Sequence, residues 1–326
     1  MHAFLGFKYI SVVLKYDNLK SCKCRFKVIE LARKSYRRLI MTDYNQYLKK
    51  MTFTQKGIDI FFALHKKAQE NPGFINEALA AFDGGNEAFL EFLQTRSDEF
   101  DAKASQLCLY IHILETEKAL EKYRERGISD EVFFATMSDI ARNCEKREKY
   151  FDGYGMDISI LYWFRLFLDL ILFRLGNLEF HYYDFDGKDI PKFGIKTGDK
   201  LIGVHIPTGV DLSPEKCSEA YALAREFFAK YFDHKKCTFI CLSWLLHSWL
   251  SEVLPETSSI VQFQKSYDIY FEEEKPEFVT NWIFINCDMS DLDALPQETT
   301  MQRAAIKYLK EKRPIGWAGG VLKEDI

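Results

Sequence analysis

From residue 41 to about residue 155 the apolar positions recur at intervals of three and four, the spacing that lines one face of an α-helix. The pattern is interrupted at Asn71-Pro72-Gly73, Asp83-Gly84-Gly85 and Gly127, so it predicts several helices packed as a bundle. The longest runs over 97–126, with Leu107, Tyr110, Ile111, Ile113, Leu114 and Leu120 as its apolar stripe and Glu115, Glu117, Lys118, Glu121 and Lys122 on a wet face. The next opens at Ser129-Asp130-Glu131, where Ser129 can cap and the two acids suit the positive helix end.

After residue 155 the texture changes. A very apolar stretch, 158–172, predicts one more helix; it holds Arg165 and Asp169 four apart, the spacing of an internal ion pair, and is too short to span a bilayer. Mixed aromatic and polar residues at 180–185, then turns at Asp186-Gly187 and Gly198-Asp199, read as strand and hairpin. Residues 201–206 form a short apolar strand stopped by Pro207, and a helix starts where Ser213 precedes Pro214. A strand over 237–246, a helix over 252–264, strands over 267–273 and 280–286, a helix over 297–312 and a strand over 315–322 complete the order. The class is α+β: an N-terminal helical bundle (41–155) followed by a mixed α/β sheet domain (156–326).

Length supports two domains, and 47% hydrophobic with 15% aromatic residues can fill a large core. The net charge of −4 is divided unevenly: residues 1–40 carry ten Lys/Arg against two Asp/Glu, a balance of +8 that leaves −12 for the rest. Two readings of the basic stretch stand, a membrane-surface or targeting arm, or sequence upstream of a start at Met41, after which Thr42 and Asp43 would cap a helix. Neither the charge nor any basic-aromatic run points to nucleic acid. The eight cysteines, Cys22, Cys24, Cys108, Cys144, Cys217, Cys237, Cys241 and Cys287, are scattered, several in apolar runs, which is the usage of a reducing cytoplasm. His234, Cys237, Cys241 and His247 offer metal-binding types, but on a strand the two thiols would stand about 13 Å apart, so no metal is expected.

Several stretches then carry a resemblance. They are Arg126-Gly127-Ile128 with Phe133, Ser138-Asp139-Ile140, Phe173-Arg174-Leu175-Gly176-Asn177-Leu178-Glu179-Phe180, Val204-His205-Ile206-Pro207 and Leu212-Ser213-Pro214-Glu215. They continue with Ser243-Trp244-Leu245-Leu246, Leu295-Pro296 with Thr299, Gln302 and Arg303, and Gly319-Gly320-Val321-Leu322. In this order the chain resembles bacterial acyltransferase-domain proteins with a helical N-terminal domain and a GNAT-like C-terminal domain.

The resemblance implies transfer of an acyl group from acetyl-CoA or another acyl-CoA, as co-substrate, directly to the amine of a small-molecule or peptide acceptor. Pyrophosphate would lie at the loop into the helix at Pro214, where backbone N–H groups and the dipole favour an anion, giving Ile206, Thr208, Gly209, Val210 and Ser213 as the CoA-binding residues. The loop has one glycine and Asp211 where the superfamily has Gln/Arg-x-x-Gly-x-Gly/Ala, and Asp211 can instead help cap the helix. His205, at the strand's end, is the candidate to take the amine proton; the plain alternative is a half-buried histidine satisfied by a carbonyl. The following strand is expected to splay from its neighbour, with Ser243 as a second catalytic candidate and Trp244 lining the gap or filling the core. The family's tyrosine acid has no counterpart in 252–266, leaving Gln262 as substitute, and Arg303 would bind an anionic group or pair on the surface. A serine hydrolase built on Ser243, His205 and His247 lacks the Gly-x-Ser-x-Gly elbow. The remaining alternative is a catalytically degenerate GNAT-like binding protein.

Overall fold

A computed structural model describes residues 43–323 apart from Pro72. The basic stretch, Cys22, Cys24 and the choice between Met1 and Met41 lie outside the described residues. Seven helices come first: α1 Tyr44–Lys50, α2 Gln55–Glu70, α3 Phe74–Asp83, α4 Asn86–Arg96, α5 Ala104–Glu125, α6 Asp130–Tyr150 and α7 Leu161–Leu168. Their starts follow the caps read from sequence: Asp43 Oδ1 accepts the N–H groups of Asn45 and Gln46, and Ser129 Oγ accepts that of Val132.

The second half is one six-stranded sheet with short helices. β1 Leu172–Leu175, β2 Leu178–Asp184, β3 Lys200–His205, β4 Phe239–Ser243, β5 Tyr267–Glu274 and β6 Gly316–Leu322 lie in the order β1-β2-β3-β4-β6-β5. Only β3 and β4 run parallel, joined by the crossover helix α8 Pro214–Phe232. The expected α+β class, helices followed by a mixed sheet, is the observed one.

Four expectations are corrected. Residues 158–172 are not one helix: a 3-10 turn and α7 end at Leu168, and β1 follows, paired with β2 through the Gly176-Asn177 turn. Arg165 and Asp169 form no ion pair. Arg165 instead donates from Nε to Asn86 Oδ1 at 2.6 Å and lies 4.0 Å over the Phe82 ring, while Asp169 meets Lys122 at 3.1 Å. Burial drives this, because the guanidinium stem lies under the helical domain and stacks on an aromatic face. The helix over 252–264 is split into α9 Trp249–Val253 and α10 Ser259–Lys265 around Pro255, which cannot continue a helix. Residues 280–286 are no strand: α11 Pro276–Ile283 starts on a proline suited to the first helical turn. The last helix, α12 Thr300–Lys310, opens with Thr299 Oγ1 accepting Gln302 N–H while the Gln302 side chain accepts Thr299 N–H, a reciprocal cap.

One apolar core runs through both halves. Phe173 on β1 touches Tyr123 of α5 at 5.6 Å between ring centroids and Phe227 and Phe232 of α8 at 4.7 and 5.5 Å. β6 is buried throughout and rich in glycine because its neighbours lie across it. A Cβ on Gly316 would come within 1.9 Å of the Glu273 carbonyl oxygen, and one on Gly319 within 2.2 Å of the Phe271 ring.

The interior also holds neutral histidines. Burial pushes His112 down to about 4, His181 to about 4, and His205 to about 3. A base depressed on folding takes up a proton more readily when unfolded, so its contribution is complete above about pH 6.5 and is lost as pH falls toward 4. The urea midpoint is therefore expected to decline steadily over that window; a midpoint constant from pH 7 to 4 would contradict it.

Candidate acyl-transfer site

β3 and β4 are hydrogen-bonded neighbours at only two register positions, Ile202↔Phe239 and Gly203↔Ile240. Beyond these both strands continue, to His205 and to Ser243, yet no longer pair. The sheet opens at this end, as expected for an inserted thioester arm, and the two strand ends are no longer paired with each other.

His205 ends β3 on the sheet face turned toward the helical domain, with Trp163 of α7 standing edge-on at 4.7 Å and His181 of β2 at 5.8 Å. Tyr183 stacks on His181 at 4.9 Å. The box these rings form has Gly203 as its floor: a Cβ there would lie 3.3 Å from Tyr183 and 3.5 Å from both His181 and His205 Nε2. His205 Nε2 has no hydrogen-bond partner among the described residues, so the plain alternative of a histidine satisfied by a carbonyl is not what is found. Burial first, then His181, pushes its imidazole down to about 3, leaving a buried, neutral ring whose Nε2 has no partner among the described residues.

The loop after Pro207 has Gly209 at φ +79, a left-handed turn suited to glycine. The N–H groups of Thr208, Gly209 and Val210 have no acceptor among the described residues, and Ile206 and Val210 pack on the core. Ser213 occupies the cap position of α8 without a side-chain cap bond, and Asp211 Oδ1 accepts its N–H at 2.8 Å in a local turn just ahead of the helix.

The other candidates do not gather at His205. The register places Ile240 beside Gly203, so by alternation Ser243 points to the opposite face, where its Oγ accepts Leu245 N–H at 3.1 Å. His205 and Ser243 are thus not a pair, which also removes the serine-hydrolase arrangement. Trp244 packs, half-buried, on the main core in a 3-10 turn. Gln262 donates to the Glu256 carbonyl; its neighbour Gln264 reaches the carbonyls of Leu245 and His247, both at 2.9 Å, and so braces the end of β4. Arg303 is spent on the carbonyls of Gln297 and Glu298 at 2.7 and 2.9 Å. Cys237 donates to the His234 carbonyl, and among the described residues no cluster of His, Cys, Asp or Glu could hold a metal ion. No described helix is long and apolar enough to cross a membrane.

Sequence reasoning passed over Trp163, His181, Tyr183, Gly203 and Glu179. The alternation Glu179, His181, Tyr183 puts all three on one face of a strand and was the available signal. Glu179 lies directly across from His205 in register and is 3% exposed.

A helical domain set on a splayed mixed sheet is the architecture of an acyltransferase. Residues 42–170 match the N-acyltransferase N-terminal domain, and residues 172–322 the GNAT-like C-terminal domain. The chain belongs to the N-acyltransferases that join these two domains. No curated protein matches it. Among solved structures it is similar to a mutant acyltransferase in complex with octanoyl-CoA, at 22% identity and TM-score 0.66 over 86% of this chain and 87% of that one. It is also similar to an acyltransferase in complex with decanoyl-CoA, at 20% identity and TM-score 0.65 over 85% and 86%. An acyltransferase in complex with decanoyl-CoA and teicoplanin matches at 22% identity and TM-score 0.61 over 89% and 98%. At such identities the likeness is one of fold.

Proposed function

We propose that the protein moves an acyl group from acyl-CoA to an amine, with the pantetheine arm in the opening between β3 and β4 and His205 as the base. The observation that carries this is the loss of pairing beyond Gly203↔Ile240 while both strands continue, at the place where an unpartnered imidazole nitrogen stands. The amine nitrogen attacks the thioester carbon, its proton passes to His205 Nε2, the C–S bond breaks, and the imidazolium proton neutralises the departing thiolate. Open donors at Thr208, Gly209 and Val210 suit the pyrophosphate. The acyl-CoAs bound in the similar structures make eight- and ten-carbon chains the first to try, alongside acetyl-CoA. The acceptor is a small molecule or peptide bearing an amine, and the unpaired thiols among the described cysteines suit the cytoplasm.

Binding is tested by thermal unfolding with acetyl-, octanoyl- and decanoyl-CoA. At about a hundred times its dissociation constant the right one adds about 2.7 kcal/mol of stability; no shift with any of the three sinks the reading. One observation favours the degenerate alternative: Asp211 takes the Ser213 N–H and brings a negative charge to the phosphate loop. Binding without turnover toward any amine would establish that alternative.

A further inference from the structure

Two of the stretches that carry the family resemblance, one from each domain, meet in a half-buried network around the buried Glu179, the register partner of His205. Asp139 and Arg142 come from α6; Arg174 and Glu179 come from β1 and β2. Arg142 Nη2 lies 2.9 Å from Asp139 Oδ1 and 3.4 Å from Glu179 Oε1, and Arg174 Nη1 lies 4.0 Å from the same Glu179 oxygen. Two acids and two arginines balance, yet a single buried carboxylate still costs free energy to keep, and packing an apolar side chain there would avoid that cost.

Glu179 pairs in register with His205, so the two side chains leave the same face of adjacent strands with Cβ atoms about 5 Å apart. The groups facing His205 are Glu179, His181 and Tyr183 of β2 and Trp163 of α7, with Arg174, Asp139 and Arg142 behind Glu179. Glu179 is the carboxylate among them. Resting on the reading of His205 as the base, we propose that Glu179 is a positioning residue for the reaction: its carboxylate, held by Arg142 and Arg174, supports the imidazolium that forms when His205 takes the amine proton. The helical domain, through Asp139 and Arg142, thereby sets the strength of a base on the sheet domain.

The need for such support is visible in the opposed titrations. Burial holds His205 far below the usual imidazole range, too weak a base for an amine, while burial and Asp139 push the Glu179 carboxyl up and the two arginines draw it back toward ionisation. On balance the Glu179 carboxyl stays raised, so a proton on His205 and an ionised Glu179 would have to arise together, across the register pair.

The test is Glu179→Gln, which keeps shape and removes charge. Expected are unchanged acyl-CoA affinity, a kcat lowered about tenfold, and an acidic limb of the kcat profile moved down by about one pH unit, the size of a neighbouring opposite charge. In a His205→Ala background the same change should cost nothing further. If Glu179→Gln does not fold, Arg174→Gln, which leaves Glu179 more readily protonated, should lower kcat and shift the limb in the same direction. Unchanged kcat and limb, or an equal loss without His205, overturns the proposal. Absence of acyl-CoA binding in the parent protein fails the acyl-transfer reading instead, and the two failures are separate measurements.

Discussion

His205→Ala is expected to lower turnover by about 10² to 10⁴ while leaving acyl-CoA affinity intact, the loss associated with removing a positioned base. The argument rests on three observations at one atom: Nε2 has no partner, it faces the space over Gly203, and burial keeps the ring neutral. Of the other candidates, His181 stacks on Tyr183, Glu179 is taken up by Arg142 and Arg174, and Ser243 points to the other face. Steady-state kinetics with octanoyl-CoA and a test amine, paired with calorimetric acyl-CoA binding, separate the outcomes. Weakened binding with kcat preserved would make His205 part of the scaffold.

The largest expected effect on stability comes from Phe173→Ala, about 3–5 kcal/mol for a fully buried aromatic. The ring joins α5 to α8 through Tyr123, Phe227 and Phe232, so its loss opens a cavity where the two halves share their core. A urea titration followed by both far-ultraviolet dichroism and tryptophan fluorescence should show one transition shifted as a whole. Two separated transitions, with the helical signal unmoved, would mean the halves unfold independently and the shared core contributes little.

Much of the fold was legible because helical period, caps and breakers agree locally. Asp43, Ser129 and Pro214 mark starts that the structure keeps. The misreadings fall where long-range packing overrules a local run: 158–172 is apolar enough for a helix, but its end is drawn into the sheet edge as β1 by pairing with β2. Likewise 280–286 has strand composition, yet Pro276 and the space beside β6 make it α11. Of the proposed site, only part was legible. His205 and the loop at Gly209 follow from a strand stopped by proline ahead of a capped helix. The Glu179–Arg142 network and Trp163 were not, because their partners come from elements far apart in sequence, and no spacing rule joins α6 or α7 to β3. Motif residues such as Gln302 and Gly319 turned out to close a helix cap and admit a neighbouring ring.

The position of β6 bears on how the protein is made. It follows the other strands in the chain yet lies between β4 and β5, so during synthesis β5 has no strand partner and β4 has only β3 until β6 has been made. Through that interval the nascent chain carries two open strand edges beside an already complete helical half, the condition in which sheets join wrongly with other chains. The acidic run Glu272-Glu273-Glu274 lies on β5, where like charge disfavours edge-to-edge pairing with a second copy.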